Sequence, residues 1–401
     1  MLSSKFHKIS KKTKYISLSL AGIASLIAVF LVGLNIGNGN LSFDLSNSTS
    51  NTSWPAQLNY SSVNQEYQAL KANYDGRLTE TQLLDGIKHG LANAANDPYT
   101  NYFTANEANS FNNELNNSFS GIGAELSQNA QKAIIIMSPL KGSPAEAAGL
   151  KPLDIIAAIN GQSTASMSIT QAVNAIRGKA GSSVKLTILR GNNQLSIVIK
   201  RQTITVPSVT YKVLNNNLGY ISISTFANDT SSLIQQAAQS MVSHHVKGIV
   251  LDLRDNPGGL VTAAVATSSE WLKPGQEIMQ ERRGSQVVQT YTATGGDILN
   301  GIPTVVLVNG GSASASEITA GALHDHHDAY LIGTKTFGKG VVQQLINLSD
   351  GGELKVTIAS WYRPDGQDIE KIGITPDKIV NPAANASDNQ LTAAENYLTS
   401  L

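Results

Sequence analysis

An alternation of apolar, strand-like runs with amphipathic, helix-like runs between residues 208 and 380 constrains the fold of this chain most strongly. The pattern predicts strands at 219–224, 248–253, 304–308, 329–332 and 355–359, with helices at 230–242, 260–270 and 314–324. Such alternation implies a sheet covered by helices, so residues 204–380 are predicted to form an α/β domain. With 41% hydrophobic residues over 401 positions, the chain can bury a sizeable core, which excludes a wholly disordered protein.

Residues 118–203 are predicted to form a separate, β-rich unit. Apolar residues at helical spacing predict one helix at 168–178. The expected strands lie at 133–137, 154–159, 183–190 and 194–201, the last two around the hairpin signal Gly191-Asn192-Asn193.

The regions on either side of these two units are predicted to be helical. In residues 60–117, the apolar set Leu83, Leu84, Ile87 and Leu91 follows helical spacing. The C-terminal tail, residues 381–401, contains one more helical stretch at 390–398.

The N-terminal segment carries a targeting signal in its charge and hydropathy. Residues 16–37 form a run of 22 positions without a charged side chain, which as a helix is ~33 Å long and could cross a bilayer core of ~30 Å. Five lysines precede this run, so the positive-inside rule places residues 1–15 in the cytoplasm and the body outside it. The alternative is a cleaved signal peptide, although the apolar region of such a peptide usually has only ~7–15 residues.

We therefore expect a single-pass protein of the cell membrane with an extracytoplasmic body. The linker at 38–59 is predicted to be flexible, because twelve of the sixteen residues at 38–53 are Ser, Thr, Asn or Gly.

The zero net charge of the chain hides an uneven distribution. Outside the five lysines of residues 1–14, 24 basic residues stand against 29 acidic ones. A mildly acidic body argues against a general nucleic-acid binder. The absence of Cys excludes disulfide scaffolds, Cys-ligated metals and thiol nucleophiles.

The segment 306–318 has the strongest chemical signal. There an apolar strand runs into a Gly-Gly turn, and a helix begins among Ser312, Ser314 and Ser316. A serine at a helix N-terminus lies near free N–H groups and the positive end of the helix dipole, which stabilise negative charge. This environment suits a nucleophile and its oxyanion. The alternative is that these serines only cap the helix.

Lys339, in segment 333–343, is the second candidate. The segment is close to the P-loop pattern, but Gly340 stands where the hydroxyl that would ligate magnesium is required, so nucleotide binding is not expected. An unperturbed lysine amine is almost wholly protonated at pH 7, whereas burial can lower its pKa enough to make a general base. The alternative is a solvated lysine on a loop.

A histidine cluster leaves two further chemistries open. His324, His326 and His327 lie beside Asp325 and Asp328, so a Ser–His–Asp triad and a metal site are two alternative interpretations of this cluster. The G-x-S-x-G and H-E-x-x-H patterns are both absent, so a polar helix end is the simpler interpretation.

The β-rich unit resembles the PDZ domain of bacterial proteases. The resemblance is carried by Gly121-Ile122-Gly123-Ala124 and by the segments 142–152, 154–156 and 159–161, with Leu153 where the pattern usually has Gly. It implies that the unit binds the C-terminus of a peptide as an added strand and holds its carboxylate with backbone N–H groups, here those of Gly121, Ile122, Gly123 and Ala124. The alternative is a small β-barrel without a ligand.

Several separated segments, in the expected order, resemble the C-terminal processing peptidases, also called tail-specific proteases. The resemblance is carried by 309–318 and by Thr336-Phe-Gly-Lys-Gly340, and it extends to 97–102, 251–259, 362–366 and 373–377. By motif position, it implies that Ser314 is the nucleophile, Lys339 the base and Gln343 the residue that orients the base. It implies oxyanion donors at the N–H of Ala315 and of Gly258 or Gly259.

The resemblance also implies a fold and a function. The expected fold class is α/β, a crotonase-like protease core with an inserted PDZ domain and an N-terminal transmembrane helix. The expected function is a membrane-anchored serine endopeptidase that cleaves extracytoplasmic proteins near their C-termini. Its substrates would be proteins or peptides with free C-termini, with no cofactor or metal, and homo-oligomerisation is left open. The alternative is a PDZ adaptor with an inactive hydrolase domain.

Overall fold

The computed structural model of the protein describes residues 54–384 and 387–401. These residues fall into two compact units, of which the first ends at Arg77 and the second begins at Leu78. Within the first unit lies helix α1 (Ser61–Asn73), which buries none of its side chains. All elements that follow belong to the second unit.

The second unit opens with helix α2 (Glu80–Asn93), strand β1 (Asn101–Phe103) and helix α3 (Ala105–Leu115). Both helices begin with reciprocal caps, in which Thr79 and Thr104 accept from the backbone N–H three residues on. The apolar spacing correctly predicted the helix α2. Three of the four residues in that pattern, Leu84, Ile87 and Leu91, are nevertheless exposed.

The β-rich domain follows, with a main sheet of five strands and two short helices. Its strands are β2 (Ser118–Gly121), β3 (Ala124–Gln128), β4 (Ile134–Pro139), β5 (Ile155–Ile159), β6 (Gln162–Ser163), β7 (Ser183–Arg190), β8 (Asn193–Lys200) and β9 (Gln202–Thr205). The helices are α4 (Pro144–Ala147) and α5 (Ile169–Ile176). The main sheet has the order β3-β4-β5-β7-β8, with β6 beside β5, and β2 pairs with β9 where the chain enters and leaves the domain.

The remaining chain forms the core of the unit. Its strands are β10 (Val209–Val213), β11 (Gly219–Ile223), β12 (Ile249–Asp252), β13 (Glu277–Arg283), β14 (Gln286–Thr292), β15 (Thr304–Val308), β16 (Tyr330–Gly333), β17 (Val341–Asn347), β18 (Glu353–Tyr362) and β19 (Lys378–Ile379). Its helices are α6 (Thr230–Ser243), α7 (Val261–Ser269), α8 (Ala315–Asp325) and α9 (Asn389–Thr399).

Two sheets organise this core. The first has the order β10-β11-β12-β15-β16-β19 and is parallel from β11 to β19. In the second, β18 pairs with β1, β13 and β17, and β14 continues from β13. One set of apolar residues in β12 and β15 is buried against α6, α7 and α8, and the alternate set is buried against α9, as expected for strands covered on both faces.

The structure corrects the predicted fold class. The expected transmembrane helix at 16–37 lies outside the described residues, and none of the helices in 54–384 and 387–401 is long and apolar enough to cross a membrane. The predicted fold class, which included this helix, is therefore replaced by what the described residues show. The fold class is a mixed α/β fold with an inserted β-rich domain.

Candidate active site

Three parallel strands of the first sheet end at one edge and carry the candidate residues there. Strands β12, β15 and β16 are neighbours in parallel register. The loop after β12 contains Gly258 and Gly259, the loop after β15 leads to Ser314, and the segment after β16 contains Lys339. Because the carboxyl ends of parallel strands meet at the same edge, residues far apart in sequence are brought together.

Ser314 lies at the N-cap of α8 in a strained backbone conformation. Its φ is 52° and its ψ is −114°, in a region that non-glycine residues rarely adopt and that costs on the order of 1–3 kcal/mol. The side chain is part-exposed, whereas the residues on both sides of it are buried. Strain of this kind is common where a nucleophile is held at a sharp strand-to-helix turn.

Ser312 and Ser316 have a different role from Ser314. Both are fully buried. The Ser312 hydroxyl donates to the Leu253 carbonyl at 2.7 Å, and that of Ser316 donates to the Asn256 carbonyl at 2.9 Å. These two hydroxyls therefore join the serine loop to the glycine loop, so they do not cap α8.

The carboxylate of Glu317 lies at the centre of the site and is fully buried. One oxygen, Oε2, accepts the backbone N–H of Ser314 at 2.9 Å and that of Lys339 at 3.0 Å. The other, Oε1, accepts the Thr336 hydroxyl at 2.5 Å and the Gly338 N–H at 2.8 Å. All four partners are donors, which matches the acceptor-only oxygens of a carboxylate. Glu317 thus ties the serine and lysine segments to one another.

Lys339 is half-buried and oriented by its neighbours. Its amine donates to Oε1 of Gln343 at 2.9 Å, and its carbonyl accepts from the Trp361 indole at 2.9 Å. Burial lowers the pKa of the Lys339 amine, and repulsion by Lys355 lowers it further. The carboxylates of Glu370, Asp97 and Glu317 act in the opposite direction. Because its pKa is lowered, a larger fraction of the amine is neutral, which is the form that a general base requires.

The hydroxyl of Ser314 and the amine of Lys339 lie at the same edge without touching. Among the residues described, no hydrogen bond joins these two groups. Catalytic hydrogen bonds are often long before substrate binds and shorten in the complex. Proton transfer between the two groups therefore requires a closer approach.

Backbone N–H groups beside Ser314 suit an oxyanion. A Cβ added to Gly258 would lie 2.8 Å from Ser314 Cβ and 2.9 Å from the Ala315 nitrogen, so only glycine allows this approach. The Gly258 N–H is occupied, because it donates to Oδ1 of Asn256 at 2.9 Å. In the described part of the chain, the N–H groups of Gly259 and Ala315 have no acceptor.

The histidine cluster lies at the wrong end of α8 to serve Ser314. His324 is ten residues from Ser314, which corresponds to ~15 Å along a helix. Its ring contacts Asp325 at 3.2 Å and Asp377 at 3.1 Å, and hydrogen bonding to Asp325 raises the pKa of His324. His326 contacts the Glu277 carbonyl at 2.7 Å. Across residues 54–384 and 387–401, no group of three or more His, Asp or Glu is arranged to hold a metal ion.

The β-rich domain has a groove beside its first sheet strand. Strand β3 is at one end of the sheet order, so one of its edges carries no strand. Between β3 and α5 lies a cavity of about 310 Å³ whose lining includes Ile122, Leu140, Val173 and Ile176. Gly121 ends β2, Ala124 begins β3, and Gly123 between them has a φ of 73°. Within the described residues, the N–H groups of Ile122 and Gly123 have no acceptor.

Sequence reasoning missed Glu317 although a signal was present. Glu317 follows Ser314 by three residues, which is the spacing of a capping box. Tyr99 was also missed, although it lies in segment 97–102, which carries part of the resemblance. Its carbonyl accepts from Gln343 across 244 positions of sequence, and its ring lies over the Lys339 amine.

Comparisons with known proteins identify the class to which this site belongs. The family model described as Peptidase family S41 matches residues 217–380, and the PDZ domain model matches residues 112–189. The chain belongs to peptidase family S41: it is a serine-type peptidase that carries a PDZ domain. The resemblance to the C-terminal processing peptidases is thereby confirmed.

Two curated relatives and one solved structure illustrate the similarity. Carboxy-terminal processing protease CtpA of Bacillus subtilis (strain 168) is 38% identical over 368 residues, covering 91% of this chain and 76% of that protein. A probable CtpA-like serine protease of Staphylococcus haemolyticus is 37% identical over 382 residues, covering 95% and 75%. The structure of a putative S41 protease from Bacteroides fragilis covers 87% of this chain and 99% of its own, with a TM-score of 0.54. At 18% identity this last likeness concerns the fold alone.

Glu317→Gln is expected to disrupt the site without removing a reacting group. The new NH₂ group would face N–H and O–H donors, which leaves at least one donor unpaired at a cost of about 1–3 kcal/mol. We expect kcat to fall at least about tenfold and the urea unfolding midpoint to fall as well. The matched control is Glu66→Gln, because Glu66 is exposed. A Glu317→Gln enzyme with unchanged kcat and midpoint would show that the carboxylate does not hold the two segments.

Proposed function

We propose that this peptidase processes proteins at their C-termini with Ser314 as nucleophile and Lys339 as general base. The observation that carries the proposal is the shared Glu317 carboxylate, which bonds the backbone N–H of both residues. It holds a strained serine and a half-buried lysine of lowered pKa at one sheet edge. The names of the relatives, carboxy-terminal processing protease and CtpA-like serine protease, support the same reaction.

The proposed reaction follows the two-step course of covalent catalysis. The neutral amine of Lys339 takes the proton from the Ser314 hydroxyl as its oxygen attacks the scissile carbonyl carbon. Collapse of the tetrahedral intermediate breaks the C–N bond, and the resulting Lys339 ammonium returns the proton to the leaving amine. Water then hydrolyses the acyl-enzyme, with Lys339 again acting as base.

The negative charge on the carbonyl oxygen requires fixed donors. We assign the N–H groups of Ala315 and Gly259 to this role, because both lack a protein acceptor while that of Gly258 is occupied by Asn256. Loss of one such donor typically costs about 10²–10³-fold in kcat. The bond between Gly258 and Asn256 instead fixes the shape of the loop.

The PDZ domain is proposed to recognise the substrate's free C-terminus. A peptide can pair with the free edge of β3 as an added strand. The free N–H groups of Ile122 and Gly123 can then donate hydrogen bonds to the terminal carboxylate. The apolar cavity beside α5 would receive the last side chain.

An extracytoplasmic location of the catalytic body stays a prediction. It rests on the lysine-rich segment 1–14 and the uncharged run that follows, both outside the described residues. The proposed substrates are accordingly extracytoplasmic proteins.

Ser314→Ala in the full chain should lower the rate at which it cleaves an unfolded protein by at least about 10³-fold, because no other group forms the acyl-enzyme. The controls are Ser312→Ala and Ser316→Ala, which keep the nucleophile but lose a hydrogen bond, at about 1–3 kcal/mol of unfolding free energy. Cleavage is followed by mass spectrometry of the fragments. Cleavage that survives in Ser314→Ala would refute the assignment, and a wild-type chain that binds but never cleaves would favour the adaptor.

The pH profile tests the base. The active form is the neutral amine, so kcat/KM should rise with pH through a Lys339 pKa that lies below its ordinary value. Lys339→Arg should be inactive at every pH, because the guanidinium pKa is above ~12. Steady-state kinetics over a pH series measures both. A folded Lys339→Arg enzyme with near-normal kcat would show that the proton goes elsewhere.

A pair of peptides tests the PDZ assignment. The two have one sequence and differ only in a free C-terminal carboxylate or a C-terminal amide. Binding to the inactive Ser314→Ala chain should be about 10–100-fold weaker for the amide, because hydrogen bonds to a charged group contribute about 1.5–3 kcal/mol. Isothermal titration calorimetry measures the two affinities. Equal affinities would exclude recognition of the carboxylate.

A further inference from the structure

A turn from the N-terminal part of the second unit reaches the base. The turn comprises Asp97, Pro98, Tyr99 and Thr100, and its shape is fixed internally. The Asp97 carboxylate accepts the Tyr99 N–H at 3.1 Å and the Thr100 hydroxyl at 2.6 Å. The Thr100 hydroxyl oxygen also accepts the backbone N–H of Thr357 in β18 at 3.2 Å, which anchors the turn to the second sheet.

The backbone carbonyl of Tyr99 determines which end of the Gln343 amide faces the lysine. It accepts from Nε2 of Gln343 at 2.6 Å, so Oε1 is left to accept from the Lys339 amine at 2.9 Å. A neutral amine has one lone pair and must keep it free to take a proton. With the amide reversed, its NH₂ group would donate to that lone pair and block the base.

The ring of Tyr99 covers the same amine. The Lys339 nitrogen lies 5.2 Å from the ring centroid, within the range of cation–π contacts. The ring therefore has two opposite effects: it attracts the ammonium form and it keeps water away from the amine. We take the exclusion of water as the larger effect of the ring, because burial is the largest of the influences on the pKa of this lysine.

The charged groups around the amine do not depend on the ring. Lys355 repels the ammonium form, while Glu370, Asp97 and Glu317 favour it. Lys355 is itself held against the rings of Phe103 and Phe111, at 5.4 and 5.1 Å. A change at position 99 that leaves the turn in place therefore alters the solvation of Lys339 and leaves these four charges unchanged.

We propose that Tyr99 is a positioning residue for the base, with its carbonyl orienting the Gln343 amide and its ring shielding the Lys339 amine from water. The proposal rests on the Ser314–Lys339 mechanism given above. In this proposal, the Asp97–Thr100 turn keeps the lone pair of the Lys339 amine available. The turn lies outside the sheet that carries the nucleophile.

The test compares Tyr99→Ala with Tyr99→Phe in the full chain. The readouts are the pH dependence of kcat/KM and the pH dependence of Ser314 labelling by a fluorophosphonate. Tyr99→Phe keeps the carbonyl and the ring, so its profile should match the wild type. For Tyr99→Ala, the acidic limb of both pH profiles should shift to higher pH by about one unit. On that limb kcat/KM and the labelling rate should fall about tenfold, and both should recover at higher pH.

A loss that is equal at all pH values would indicate only a structural role and would overturn the proposal, as would an acidic limb that is unmoved or moved down. If Tyr99→Ala fails to fold by thermal unfolding, Tyr99→Leu replaces it with the same direction expected. Ser314→Ala and Lys339→Arg are measured in parallel. If these two stay active, the proposed function fails; if they are inactive and the limb does not move, only the role of Tyr99 fails.

Discussion

The site depends on one buried carboxylate. Glu317 accepts four donors from four residues in two segments of the chain: the N–H of Ser314, the hydroxyl of Thr336, and the N–H groups of Gly338 and Lys339. A buried carboxylate without such donors would cost several kcal/mol, so the serine turn and the lysine segment are held together. Because both segments share it, a shift in either is transmitted to the other. The strain at Ser314 persists since its surroundings determine its backbone.

The parallel sheet and the second sheet contribute different parts of the proposed mechanism. The carboxyl ends of β12, β15 and β16 place the glycine loop, Ser314 and Lys339 at one edge. The second sheet supplies Gln343 from β17, Trp361 from β18, and the anchor for the Asp97–Thr100 turn. The first sheet thus positions the proposed nucleophile, whereas Gln343 and Lys355 of the second sheet orient the Lys339 amine and repel its ammonium form.

Local patterns in the sequence were sufficient for some elements and not for others. The buried strand at Thr304–Val308 and the helix after it follow from an apolar run and small residues. The resemblance implied Ser314, Lys339 and Gln343 as site residues, and their roles stay proposals. The hairpin of β13 and β14 was missed because β14 is largely exposed and polar. Tyr99 could not be found locally, since its contacts arise only from tertiary structure. The exposure of Leu84, Ile87 and Leu91 on α2 could not be predicted, because apolar spacing does not specify a partner surface.

The most direct test of the account is the site and pH dependence of covalent modification by a serine-reactive fluorophosphonate, followed by peptide mapping with mass spectrometry. We predict a single adduct on Ser314, formed at a rate that rises with pH through the lowered Lys339 pKa. The adduct should be nearly lost in Lys339→Met, which keeps an apolar chain of similar length without the amine. An adduct on another serine, or an equally fast Ser314 adduct in Lys339→Met, would contradict the assignment of the nucleophile and its base.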